Sequence, residues 1–136
     1  MPRKAVESMN YLILKIVHIV GLSLTFMGLA GMLAVRMMGE VPFRKRLIFQ
    51  VAHWLGLLLL IGSGIAMTLQ LGQWVDQHSV PGWVKAKFGV WLLAGAAMGL
   101  AVRFGGLAGG RFAGLLLVFF TLLVAVAAWL AIGKPF

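Results

Sequence analysis

The stretch Trp83-Val84-Lys85-Ala86-Lys87-Phe88-Gly89-Val90-Trp91-Leu92-Leu93-Ala94-Gly95-Ala96-Ala97-Met98-Gly99-Leu100-Ala101-Val102-Arg103 decides the fold. A bilayer core about 30 Å thick needs about 20 apolar residues at about 1.5 Å each. Between Lys87 and Arg103 only Phe88 to Val102 are uncharged, too few to cross comfortably. The helix must therefore start near Trp83, which draws Lys85 and Lys87 into the membrane edge or deeper. Pro81 suits a start just outside the first turn, where a missing N–H costs little.

Three further spans lie around this one. The first runs from Tyr11 to Val35, interrupted only by Lys15 and His18. It is too long for a cleaved signal peptide, and its small residues lie within the run rather than after it. The second runs from Leu47 to about Leu71, with Gln50 and His53 near its start, and the fourth from Phe112 to Gly133 with no ionisable residue. Short connections between four spans force an all-α up-down-up-down bundle, a single transmembrane four-helix domain over residues 1–136 with spans at about 11–35, 47–71, 83–103 and 112–133. Arg3–Met9 reads as a short surface leader.

Composition agrees. Of 136 residues, 62% are hydrophobic and only 11% charged, and the mean hydropathy is +1.01. A soluble domain of this size could not hide so much hydrocarbon, and a disordered chain would not contain it. Cysteine is absent, which removes disulfide scaffolds, thiolate metal sites and iron–sulfur clusters. The net charge of +9, from 12 Lys+Arg against 3 Asp+Glu, would suggest nucleic acid in a soluble protein. Here the cations lie mostly at the edges of apolar runs, where they meet lipid phosphates and set topology, so no nucleic-acid partner is expected.

Both termini and the loop Gly72–Pro81, which carries Gln73, Trp74, Asp76, Gln77 and His78, fall on one side of the bundle, termed side T. Met37–Arg46, with Glu40, Pro42 and the run Arg44-Lys45-Arg46, falls on the other, side L, as does the Gly-rich Gly105–Arg111. Tyr11, Trp74, Trp83 and Trp129 map near side T, as an interfacial aromatic belt would. Side L holds Arg36, Arg44, Lys45, Arg46, Arg103 and Arg111; side T holds Arg3, Lys4, Lys15, Lys85, Lys87 and Lys134. Setting aside the three lysines drawn into spans tips the balance toward a cytoplasmic side L and periplasmic termini. Small residues mark packing faces. Gly95 and Gly99 form a GxxxG pair; His18, Gly21, Thr25 and Gly28 share one stripe of the first helix; His53, Gly56, Gly64 and Met67 share one of the second.

Ionisable groups inside a membrane are functional candidates because burying them is costly. His18 lies about two turns in from side T, and His53 enters from side L. Helical rise separates their depths by roughly 10 Å, which disfavours one haem iron held between both, although each is a candidate metal ligand. Lys15 is one turn from His18, and Lys85 and Lys87 start the third helix at similar depth. Lys85 and Lys87 differ by about 200° around the axis, so only one faces the bundle and the other snorkels to the interface. A neutral imidazole beside a lysine can shuttle protons, ligate iron or hold a carboxylate-bearing ligand. No acid lies within a span, and Asp76 in the loop is the one acid near this cluster. Against these readings stands the plain one, in which each His bonds a neighbouring helix and each Lys snorkels. Thr25, Ser63, Thr68 and Thr121 read as local backbone bonds, and the scattered methionines as gap-fillers rather than copper ligands.

Lys15-Ile16-Val17-His18 opening the first span, with Gly28 ten residues after the histidine, resembles the first helix of HemJ-type protoporphyrinogen oxidases and of the related CopD-like and SirB-like membrane proteins. Arg44-Lys45-Arg46-Leu47 is similar to the basic lead-in to their second helix. His53 followed by Leu57-Leu58-Leu59-Leu60-Ile61-Gly62-Ser63-Gly64 looks most like the SirB-type second helix. Trp83-Val84-Lys85-Ala86-Lys87 resembles the Trp-x-x-x-Lys start of the third, with Lys87 as the matching lysine. The resemblance covers roughly residues 11–103. It implies haem b or a porphyrin-like ligand at His18 and Lys87, with His53 and Lys85 as further cofactor-binding candidates. It also implies membrane redox chemistry feeding a quinone or respiratory chain, in a bacterial inner membrane. Two alternatives stand beside it: a non-enzymatic accessory or assembly subunit of a homo-oligomer or larger membrane complex, and copper handling through the histidines and Met67.

Overall fold

The computed structural model describes residues 3–39, 41–70, 80–107 and 110–133, with side chains from Glu7 onward. Asp76, Trp74, His78, Glu40 and Lys134 lie outside the described residues. The described residues form four α-helices in sequence: α1 (Arg3–Met37), α2 (Phe43–Gln70), α3 (Gly82–Phe104) and α4 (Arg111–Gly133). All four are long and apolar enough to cross a membrane. The third has the lowest mean hydropathy over its best window, 1.3 against 1.8 to 2.8 for the others. The surface carries Ile132 at 86% exposure, Leu115 at 71% and Leu92 at 64%. Large aliphatic side chains turned outward on every helix suit hydrocarbon and not water.

Two boundaries differ from the sequence expectation. The Arg3–Met9 segment, expected as a surface leader, is the first part of α1, which begins at Arg3 rather than near Tyr11. Ala5, Val6, Glu7 and Met9 continue the helix without a break. Likewise α2 starts at Phe43 rather than near Leu47, so Arg44, Lys45 and Arg46 form its first turn instead of a loop. Pro42 opens that turn, its carbonyl accepting from the Lys45 amide at 3.0 Å. The third and fourth helices fall within a residue of expectation at the ends that are described.

The tightest seam is α1 against α2, and glycine makes it. A Cβ on Gly28 would lie 2.6 Å from the His53 nitrogen and the Phe49 oxygen of the opposite backbone. One on Gly56 would lie 2.5 Å from the Gly21 oxygen and the Thr25 nitrogen. The two small-residue stripes read from the sequence therefore face one another, backbone on backbone. The GxxxG pair behaves differently: Gly95 packs on Leu57 and Trp54, whereas a Cβ on Gly99 would meet nothing within 4 Å.

The side-L half is closed by Leu29, Met32, Leu33, Ala97, Met98, Ala101, Ala113 and Leu116, all buried. Along its length α4 contacts α3 and only weakly meets α1 and α2. On side T a second, smaller cluster, Trp83, Val84 and Leu130, is buried between α3 and α4.

Candidate functional site

The side-T half encloses a cavity of about 600 Å³, within the roughly 300–1,000 Å³ range of small-molecule sites. All four helices line it. Tyr11, Lys15, His18, Leu22 and Thr25 come from α1; Leu57, Leu60, Gly64, Met67 and Thr68 are among those from α2. Trp83, Lys87, Phe88, Trp91 and Ala94 project from α3, and Phe120, Leu123, Ala127 and Ala131 from α4. The deepest member from each helix, Thr25, Leu57, Ala94 and Phe120, is buried, and together these four form the floor.

His53 lies under that floor and is fully buried. Its Nδ1 is 2.8 Å from the Thr25 carbonyl oxygen and its Nε2 is 3.2 Å from the Ala94 carbonyl oxygen. The ring also sits 6.5 Å from that of Phe120, centroid to centroid. His53 therefore ties α2 to α1 and α3 just below the cavity, with both nitrogens turned to backbone carbonyls. A neutral ring has one N–H for these two acceptors; an imidazolium donates to both. As folded, His53 is a brace between helices and offers no open nitrogen to a ligand. Nearby, Trp91 Nε1 donates to the Leu57 carbonyl at 2.9 Å, joining α3 to α2 across the floor.

His18 is half-buried and lines the wall. Its Nδ1 lies 2.9 Å from Ser63 Oγ. That hydroxyl gives its own hydrogen to the Leu59 carbonyl, 2.5 Å away, so it accepts from the imidazole. With the Ser63 hydroxyl donating to Leu59, the tautomer that satisfies the bond has the proton on Nδ1 and the lone pair on Nε2. Such an Nε2 can accept a proton, a hydrogen bond or a metal. Depth also follows. His18 stands opposite Ser63 and the His53 backbone opposite Gly28, so the two histidines lie about 15 Å apart along the axis at about 1.5 Å per residue.

Lys15 and Lys87 mark the side-T rim. Lys15 Nζ lies 4.7 Å from the centre of the Tyr11 ring, and Lys87 Nζ 4.8 Å from that of Trp83. In both helices the lysine reaches back to the residue four earlier. Helical Cβ bonds tilt toward the N-terminus, and α1 and α3 both run from side T to side L, so both ammonium groups swing outward toward side T. This is snorkelling with an aromatic rest. Lys87 is close enough for its charge to act on His18. Lys85 is exposed and does not line the cavity, so Lys87 is the lysine of the pair that faces the bundle.

The chain has no significant match among protein-family models, curated proteins or solved structures. The site stands on its own geometry. His18 and Lys87 are brought together on one cavity, with Lys15 at its rim. His53 and Lys85 are kept apart from them. Of the residues on which a copper reading rests, His18 and Met67 line the cavity, while His53 lies below its floor. Among the described residues no three His, Asp or Glu side chains cluster as a metal-ion site.

Sequence reasoning missed Ser63 as the partner of His18 and the whole α4 wall. The wall left no signal, because α4 contributes only apolar side chains to it. Ser63 left a faint one, being a hydroxyl ten residues beyond His53 on a helix antiparallel to that of His18.

Proposed function

We propose that this small integral membrane protein binds haem b or a porphyrin-like ligand in the side-T cavity and serves membrane redox chemistry there. The observation that carries this reading is one cavity of about 600 Å³ holding a tautomer-fixed imidazole and a cationic rim against apolar and aromatic walls. Those residues fit such a group. A tetrapyrrole is flat, apolar over its faces and acidic at one edge. Trp83, Phe88, Trp91 and Phe120 supply faces for stacking, and Lys15 and Lys87 supply cations for propionates.

His18 Nε2 would hold the iron or, with a metal-free porphyrin precursor, accept a proton. Haem, when bound, supplies one-electron exchange with a partner such as a quinone. Ser63 keeps the His18 ring turned with its lone pair available. Lys87 anchors the acidic edge and adds positive charge beside His18. The apolar wall of α4 excludes water from that side. The resemblance to HemJ-type, CopD-like and SirB-like proteins supports the same reading in a bacterial cytoplasmic membrane, and the balance of flanking cations supports side L inward.

The test is haemin titration of the full chain purified in neutral detergent. A saturable Soret band is expected, and His18→Ala abolishes it while helix content by circular dichroism is kept. No band at any loading, or a band unchanged in His18→Ala, overturns the reading and leaves the accessory-subunit alternative.

A further inference from the structure

At the end of the bundle away from the cavity, α1 closes against the turn that follows α3. A Cβ on Gly106 would lie 3.0 Å from the Arg36 carbonyl oxygen, and one on Gly105 would lie 3.1 Å from the Arg36 Cβ. This approach leaves a pocket of about 280 Å³ lined by Arg36, Gly39, Gly106 and Leu107. Among the described residues the Nε of Arg36, like that of Arg46 in the first turn of α2, is buried without a hydrogen-bond partner. A basic residue in the last turn of a helix ordinarily serves the terminal carbonyls and the dipole, yet this Nε–H makes no such bond.

A guanidinium N–H withdrawn from water without an acceptor is costly and calls for one. The pocket has the features an oxyanion needs. Arg36 offers a planar fork of donors that matches phosphate oxygens. Gly39 and Gly106 bring no side chains into the space, and a Cβ on Gly39 would meet nothing within 4 Å. Arg44, Lys45, Arg46, Arg103 and Arg111 lie at the same end of the bundle and give it a positive field. The one acid in this part of the sequence, Glu40, lies outside the described residues.

We propose that the Arg36 pocket on side L binds a phosphate-class oxyanion, either the headgroup of an anionic membrane lipid or phosphate itself. The site is separate from the side-T cavity and does not depend on its ligand.

The test measures binding of short-chain phosphatidylglycerol, phosphatidylcholine and inorganic phosphate to the full chain in neutral detergent, by native mass spectrometry. Phosphatidylglycerol binding is expected to weaken about tenfold in Arg36→Gln. Leu107→Glu, at an exposed position that needs no repacking, places a competing carboxylate in the pocket and weakens it by a similar factor. Lys45→Gln removes an exposed cation from the same end and should change affinity less than about twofold. Displacement of phosphatidylglycerol by inorganic phosphate at comparable concentration identifies a phosphate site. Displacement by lipid alone identifies a headgroup site. Full affinity in both Arg36→Gln and Leu107→Glu, or equal loss in Lys45→Gln and Arg36→Gln, overturns the proposal in favour of a diffuse basic rim.

Discussion

The Nδ1 of His18 lies 2.9 Å from Ser63 Oγ, a bond across the α1–α2 seam that decides which imidazole nitrogen is left with a lone pair. Partners of this kind typically change ligand affinity about 10–100-fold when removed. Ser63→Ala should therefore weaken haem binding about tenfold. Ser63→Thr, which restores the hydroxyl, should recover most of it. Soret titrations of the three proteins measure the effect, and unchanged helix content separates it from misfolding.

His53 predicts the opposite pattern. Its ring is fully buried between two carbonyls, so His53→Ala removes a brace and opens a void. The expected loss of stability is about 3 kcal/mol, read by thermal unfolding in detergent. Haem spectra normalised to folded protein should keep their shape, because His53 supports the floor from beneath.

The two lysines of α3 separate in the same assay. Lys87→Met removes a cation that lines the cavity, and a carboxylate-bearing tetrapyrrole should bind about tenfold more weakly. Lys85→Met, at an exposed position outside the cavity, should change affinity less than about twofold.

Glycines divide into two classes by what a Cβ would touch. Gly28→Ala drives a methyl group into the Phe49 and His53 backbone at 2.6 Å and should cost about 2–3 kcal/mol. Gly62→Ala meets nothing within 4 Å and should stabilise α2 by about 0.5–1 kcal/mol, since alanine loses less backbone entropy in a helix. Unfolding of both variants in one detergent checks the opposite signs.

Much of this arrangement was legible in the residues. The shortage of uncharged positions between Lys87 and Arg103 required a start near Trp83, and α3 begins at Gly82. The stripes through Gly21, Gly28 and Gly56 found each other because glycine spacing records helix contact directly. Thr25, Ser63, Thr68 and Thr121 each bond the carbonyl four residues back, as expected. The cavity was not legible. It arises from how far α4 stands from α1 and α2, and uniformly apolar residues such as Leu123 and Ala127 carry no mark of whether they face a void or a neighbour. The role of His53 was hidden for a related reason: a buried histidine reads alike as brace or ligand until the groups opposite both nitrogens are known.

The described hydrogen bonds between helices join α1, α2 and α3, while α4 leans on α3 through apolar packing that reaches side T, where Leu130 is buried against Trp83 and Val84. The fourth helix is thus a door hung on one jamb. Parting its free edge from α1 and α2 would trade one set of hydrocarbon contacts for another supplied by lipid tails, a sideways route by which a flat, greasy molecule dissolved in the bilayer would enter without passing through water.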